Sequence, residues 1–416
     1  MKTRIFVITW LSYAGFYFCR KNFSVLMPLL SRDEGFSSDQ LANALFIYSL
    51  FYAIGQLSSG LMSDWLGPRR VVTAGMLLSA TATALMGEAD SLWELTILQG
   101  INGFAQACGW PGLLKLMANW FQGRTRGMTM SLWGTNMVLG GFFATVFATW
   151  AATGPLMLAL GWRRGVWWPA MVLAALAVAF ALVARDRPAD LVESTGPRLS
   201  QWQGLGEVLR TKAILVITGM YFTVKLARYV FLFWLPLYMT QRLGYPAAEA
   251  GYTSSIFELV GFTGVILAGW LSDRVARGRR FPVGALMMFA LAALCLIHPA
   301  LASLGRWGNI VGIALIGMMT FGPDTLMAGA GVQDSVRREV TATAGGFTNA
   351  VGSLGQIVSP FVASMISTRF GWDAVFYLLV VVAAVGGGIL ATQWNFRREE
   401  ACSNMMSPSS AVASSV

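Results

Sequence analysis

The chain has 416 residues, 56% of them hydrophobic and only 12% charged, about half the charged share of a soluble protein. Continuous apolar runs from end to end exclude a single soluble core and point to an all-α membrane protein rather than a barrel. The net charge of +10, four scattered cysteines and a lone histidine, His298, carry no disulfide frame, metal-site spacing or Ser-His-Asp pattern, so neither a cofactor nor an enzyme is expected.

In chain order, the first span is expected over 5–30, with Arg20 and Lys21 inside it. A charge at that depth costs about 2.5–3.5 kcal/mol to insert. The span is too long for a signal peptide and no small-residue cleavage site follows, so it is expected to be retained. Further spans follow near 38–62, 70–88, 92–120, 127–151 and 162–184. The polar stretch 186–210 reads as a cytoplasmic linker between an N-terminal six-helix bundle (1–185) and a C-terminal one (211–396). The second set of spans lies near 212–240, 247–270, 281–303, 308–332, 340–366 and 372–395. Residues 397–416 are expected to be a disordered cytoplasmic tail, rich in Ser and Ala from Ala401. With both termini cytoplasmic, that side holds Arg69, Arg70, Arg124, Arg126, Arg274, Arg277, Arg337, Arg338 and others. The opposite side holds Arg32, Arg163, Arg164, Arg242, Arg306 and Arg369. The positive-inside rule accounts for this asymmetry and for most of the basic charge, with no need of nucleic acid.

The second half repeats the first. RKNFSVLMPL (20–29) aligns with RYVFLFWLPL (228–237), placing Arg20 over Arg228 and Pro28 over Pro236. GLMSDWLGPRR (60–70) matches GWLSDRVARGRR (269–280), GWPG (109–112) loosely matches FGPD (321–324), and TNMV (135–138) matches TNAV (348–351). In the loops, Gly60 and Gly269 are expected to permit close helix approach. Asp64 and Asp273 are expected to pair with nearby arginines or to cap a helix, with Arg69, Arg70, Arg274 and Arg277 anchoring the cytoplasmic side. Two related six-helix halves with this loop in register resemble the major facilitator superfamily. That resemblance implies twelve transmembrane helices and a site near the midplane between two halves that rock.

Tyr13, Tyr17 and Arg20 share one face of the first helix by their spacing, as do Tyr221, Lys225 and Arg228 in the seventh. An arginine from each half suits a bidentate oxyanion. Pairing with Glu258 and Asp324 is the structural alternative, but Arg20, Lys21, Lys115, Lys225 and Arg228 outnumber those acids. Asp324 is expected to form a salt bridge with Lys225 or Arg228 rather than to carry a proton. Lys21 is expected to add to the pocket's potential, and Tyr48 and Tyr52 to face a sugar. Trp110 and Trp234 read as packing or lipid-facing residues, and His298 as structural.

Y-x-x-R-K-x-F-x-x-x-M-P (17–28), GFAQACGWPGLLK (103–115), RYVFLFWLPLY (228–238) and TAGGFTNAVGSLG (343–355) together resemble the organophosphate:phosphate antiporters, over nearly the whole chain. The resemblance implies that Arg20 and Arg228 grip a phosphoryl group, with Tyr17, Lys115, Glu258 and Asn136 around the pocket. Two departures stand out: Gln56 replaces a lysine common in the family, and Thr135 replaces a histidine before Asn136. Lys225 is a candidate to compensate. The expected partners are a phosphorylated small molecule, inorganic phosphate and the lipid bilayer, with the carrier a monomer in a bacterial inner membrane. The other readings are a transport-like sensor of external sugar phosphate and an ion-coupled carrier of a phosphonate, sulfonate or carboxylate.

Overall fold

The structure is a computed structural model, and it describes residues 1–121, 126–188, 201–336 and 340–396. Twelve rods account for it. In the first half they are α1 (Lys2–Asp33), α2 (Ser38–Leu66), α3 (Pro68–Leu85), α4 (Leu92–Ala107 with Gly109–Trp120), α5 (Arg126–Gly134 with Asn136–Thr153) and α6 (Arg164–Val183). In the second they are α7 (Lys212–Leu243), α8 (Ala247–Trp270), α9 (Arg280–Ser303), α10 (Arg306–Leu326), α11 (Thr341–Phe370) and α12 (Trp372–Ala391). Nine of them are long and apolar enough to cross a membrane by length and composition, among the described residues. Of the other three, α1 holds Arg20 and Lys21 and α4 is broken, while part of α2 lies outside the described side chains.

Two expected helices are interrupted. α4 breaks at Cys108, three residues before Pro111, which lacks an N–H for the ladder and crowds the preceding turn, although Pro28 and Pro236 sit inside α1 and α7 without such a break. α5 breaks at Thr135, beside Asn136. α8 and α10 end in π-helical turns, Leu271–Val275 and Met327–Gly331. The expected linker is not wholly irregular, since its last part forms a short helix, Gln201–Arg210, that buries Val208. The expected tail, residues 397–416, lies outside the described residues, as do Arg124, Arg337 and Arg338 and the side chains of Asp64 and Arg126.

The two halves share one packing scheme. In the first, α1 packs on α5, α2 on α4 and α3 on α6; in the second, α7 packs on α11, α8 on α10 and α9 on α12. The α2–α4 and α8–α10 pairs both need glycine. A Cβ on Gly103 would sit 2.2 Å from the Tyr48 carbonyl oxygen, and one on Gly317 would sit 2.1 Å from that of Phe257. Gly269, by contrast, meets nothing within 4 Å of its Cβ position. The expectation that it permits close approach is therefore corrected: the chain is already leaving α8 for the π-helical turn. Gly60 lies outside the described side chains.

α1 meets α7, α5 meets α8 and α2 meets α11 across the halves. α1 and α7 are consequently buried nearly all round over Ser12–Leu30 and Met220–Met239, which explains how their charges are kept from lipid. Large apolar side chains such as Met171, Val178, Leu182, Val381 and Val385 are exposed on the outer rods, where a bilayer would cover them.

Candidate functional site

α1 and α7 deliver the two duplicated arginines to the middle of the molecule. Arg20 is 5% exposed and Arg228 3%, so solvent screening of either is small. The Tyr17 hydroxyl lies within electrostatic reach of both guanidinium groups. Arg20 donates from Nε to Gln106 Oε1 at 3.2 Å, and its guanidinium sits 4.8 Å from the Tyr17 ring centre and 5.0 Å from that of Tyr52. Ring faces attract a cation without neutralising it. Its Nη2 has no hydrogen-bond partner, and neither does the buried Tyr48 hydroxyl, which lies within electrostatic reach of the guanidinium.

Arg228 is handled differently. Its Nη1 donates to Asp324 Oδ2 at 2.7 Å, and its guanidinium lies 4.6 Å from the Phe321 ring centre. Lys225, one turn away on α7, donates to Asn349 Oδ1 at 2.8 Å and stands 5.1 Å from the Tyr221 ring centre. Lys21 closes a contact across the halves: its ammonium lies 3.1 Å from Glu258 Oε1 and donates to the Leu232 carbonyl at 3.0 Å. Thr145 Oγ1 donates to Glu258 Oε2 at 3.3 Å, and Ser24 Oγ donates to the Phe233 carbonyl at 2.6 Å.

Among the described residues, this cluster buries four cations (Arg20, Lys21, Lys225 and Arg228) with two carboxylates (Glu258 and Asp324). Two positive charges are left without a carboxylate. A buried excess of that size in a low-dielectric centre is a strong attractor for a dianion.

The other expected residues take diverse places. Tyr13 packs edge-on to Tyr17 at 5.9 Å and against Trp110 and Trp133. Tyr52 and Tyr48 stack at 6.1 Å. Asn136 is fully buried, with neither amide atom hydrogen-bonded. Lys115 is not gathered with the central cations: it donates to the Ser63 carbonyl at 3.0 Å, at the end of α2. Trp234 is buried against Trp372, and His298 is buried 3.4 Å from the Tyr238 hydroxyl.

In the loops, Asp273 pairs with Arg280, which also reaches Asp334 at 3.1 Å and so ties the α8–α9 turn to the end of α10. Arg69 bonds Asp186 through its backbone amide at 2.7 Å and the Ala181 carbonyl through its side chain. Arg70, Arg274 and Arg277 are exposed, Arg277 with a positive φ of 53°.

Sequence reasoning missed Gln106 and Asn349. A signal existed for the second, because the repeat that aligns TNMV with TNAV makes Asn349 the counterpart of Asn136. Gln106 carried only the weaker hint of a second polar residue, Asn102, four positions earlier on the same helix face.

A family model described as Major Facilitator Superfamily matches residues 9–360. A probable hexose phosphate transport protein of Chlamydia trachomatis is 28% identical over 95% of this chain and 91% of its own length. A glycerol-3-phosphate transporter of Bacillus subtilis is 26% identical over 95% of this chain and 93% of its own. The membrane sensor protein UhpC of Escherichia coli is 26% identical over 94% and 91%. Among solved structures, an inward-facing bacterial homologue of the human lysosomal transporter Spinster superposes with a TM-score of 0.75 at 14% identity, covering 97% of this chain and 98% of its own. At that identity the likeness speaks for the fold.

Proposed function

We propose that this chain, which belongs to the Major Facilitator Superfamily, carries a phosphorylated metabolite across the membrane in exchange for inorganic phosphate. The observation that carries the reading is the excess of two buried positive charges, contributed from both halves by Arg20 and Lys225. A phosphate monoester near neutral pH is close to a dianion, so it matches that excess. Planar arginine donors favour its oxygens. The names of the relatives, a hexose phosphate carrier and a glycerol-3-phosphate carrier, support the same substrate class.

Alternating access follows from electrostatics. An anion between the halves attracts Arg20 on one and the α7 cations on the other, and so favours the state in which both close on it. The Lys21–Glu258 contact, the Ser24 bonds to α7, and the bond from Ser364 Oγ to Asp39 Oδ1 at 2.6 Å hold the halves together from mid-depth towards the end opposite Met1. With both termini in the cytoplasm of a bacterial cell, this is the arrangement of a monomeric carrier shut to the outside.

Radiolabelled phosphate uptake into proteoliposomes preloaded with phosphate tests the reading. Uptake that internal phosphate accelerates, and that glycerol phosphate or a hexose phosphate suppresses, is expected. Absence of such uptake contradicts it. The similarity to a membrane sensor supports one second reading, in which the same site binds a sugar phosphate for signalling; binding without flux would select it.

A further inference from the structure

We propose that Asp324 is an internal counter-ion that stands in for the substrate anion at Arg228, letting the empty carrier close so that net transport accompanies exchange. The inference rests on the anion-carrier reading above. Three observations converge on it.

The first is asymmetry. The duplicated arginines are not treated alike, since Arg228 has a carboxylate at 2.7 Å while Arg20 contacts none among the described residues. The repeat explains the difference. The match of GWPG to FGPD sets Gly112 of the first half opposite Asp324 of the second. A Cβ on Gly112 would lie 2.5 Å from Val72, so the first half has no room for an acid there.

The second observation is that the pair is incomplete. Arg228 is engaged through Nη1 alone, its buried Nε has no partner, and Asp324 Oδ1 has none either. A carboxylate held at one point leaves donors that a phosphate oxygen can take, and a phosphate able to bind two-pronged outcompetes it. Asp324 is bound to the chain, which keeps its local concentration high when no substrate is present.

The third is position. Asp324 follows Pro323 in α10 and precedes the π-helical turn Met327–Gly331 by three residues. Both features loosen the backbone ladder beside it, and π-helical turns recur at functional sites. The charged and titratable groups around Asp324 are Arg228, Lys225 and Tyr221, all on α7. No second acid among them can take over its role. Closing over Arg20, Lys225 and an unpaired Arg228 would desolvate three free cations. With Asp324 in place, two remain.

The test compares Asp324→Asn with the wild type in vesicles loaded with radiolabelled phosphate. Efflux into phosphate-containing buffer reads exchange, and efflux into phosphate-free buffer reads net transport. The wild type is expected to show both. Asp324→Asn is expected to bind phosphate more tightly and to lower the ratio of net efflux to exchange by at least about tenfold, within the range that coupling between sites spans. Asp324→Glu is expected to restore net efflux. An undiminished ratio in Asp324→Asn overturns the inference. So does equal loss of exchange and net efflux with no recovery in Asp324→Glu, the mark of a merely structural role. If Asp324→Asn does not fold, Asp324→Ser takes its place, and a ratio of net efflux to exchange equal to that of the wild type overturns the proposal. A wild type that exchanges without net efflux overturns this inference alone. One that neither binds nor moves phosphate overturns the anion-carrier reading and this inference with it.

Discussion

Arg20 is useful only if its guanidinium is held still, and the holding is done by residues that carry no charge. Gln106 accepts from Arg20 Nε and donates to the Phe16 carbonyl at 2.8 Å and to Ser79 Oγ at 3.0 Å. Ser79 in turn donates to Asn102 Oδ1, and Asn102 donates to the Cys19 carbonyl at 2.8 Å. This chain of bonds fastens α1 to α3 and α4 over the turn just before Arg20. Gln106→Leu orphans Arg20 Nε, so it is expected to cost about 1–3 kcal/mol of stability and to weaken phosphate binding several-fold. Thermal melting and a binding titration read the two effects, and unchanged binding would deny the positioning role. Arg20, Lys225 and Arg228 are legible in the sequence because charges inside apolar spans are costly and conspicuous. Gln106 is not, because a neutral amide in a long helix looks the same whether it faces a neighbour or a guanidinium. The pairing of Asp324 with Arg228 rather than Lys225 was also open, since both cations lie on one face of α7 and only the packing of α10 chooses between them.

The rods themselves obey simple rules. Pro111 lies just after the interruption of α4, but Pro28 and Pro236 sit in helices that run on, so the break cannot be read from a proline alone. The break at Thr135 has no proline or glycine pair to announce it beyond Gly134, so a continuous helix over 127–151 is the natural expectation. The glycines divide into two kinds that sequence alone does not separate. Gly103 and Gly317 sit where a Cβ would strike a neighbouring carbonyl, whereas Gly269 has open space. Gly103→Val and Gly317→Val are each expected to lower stability by about 1–3 kcal/mol through overpacking. Gly269→Ala is expected to be neutral or slightly stabilising, because only its backbone freedom changes. Melting temperatures of the three variants check the distinction, and a Gly317→Val variant as stable as the wild type would contradict it.

For the whole molecule, the duplicated halves were legible, because the repeat is a pattern over many residues and the two halves pack by one scheme. The manner in which the halves close was not, because it depends on contacts between residues far apart in sequence, such as Ser364 with Asp39. If the halves must part at that end during transport, a cysteine pair at Asp39 and Ser364 is expected to block phosphate exchange when cross-linked and to recover on reduction. Exchange that continues through the cross-link would mean that this end does not open. The central claim is that a buried positive excess, with Arg20 as its uncompensated arginine, binds the anion. The most direct measurement is a calorimetric titration of purified protein with inorganic phosphate, for the wild type and for Arg20→Ala. The account predicts that the variant remains folded and loses affinity by at least about a hundredfold, the scale of a lost charge-assisted pair in a buried site. Equal affinity in the two proteins would contradict it.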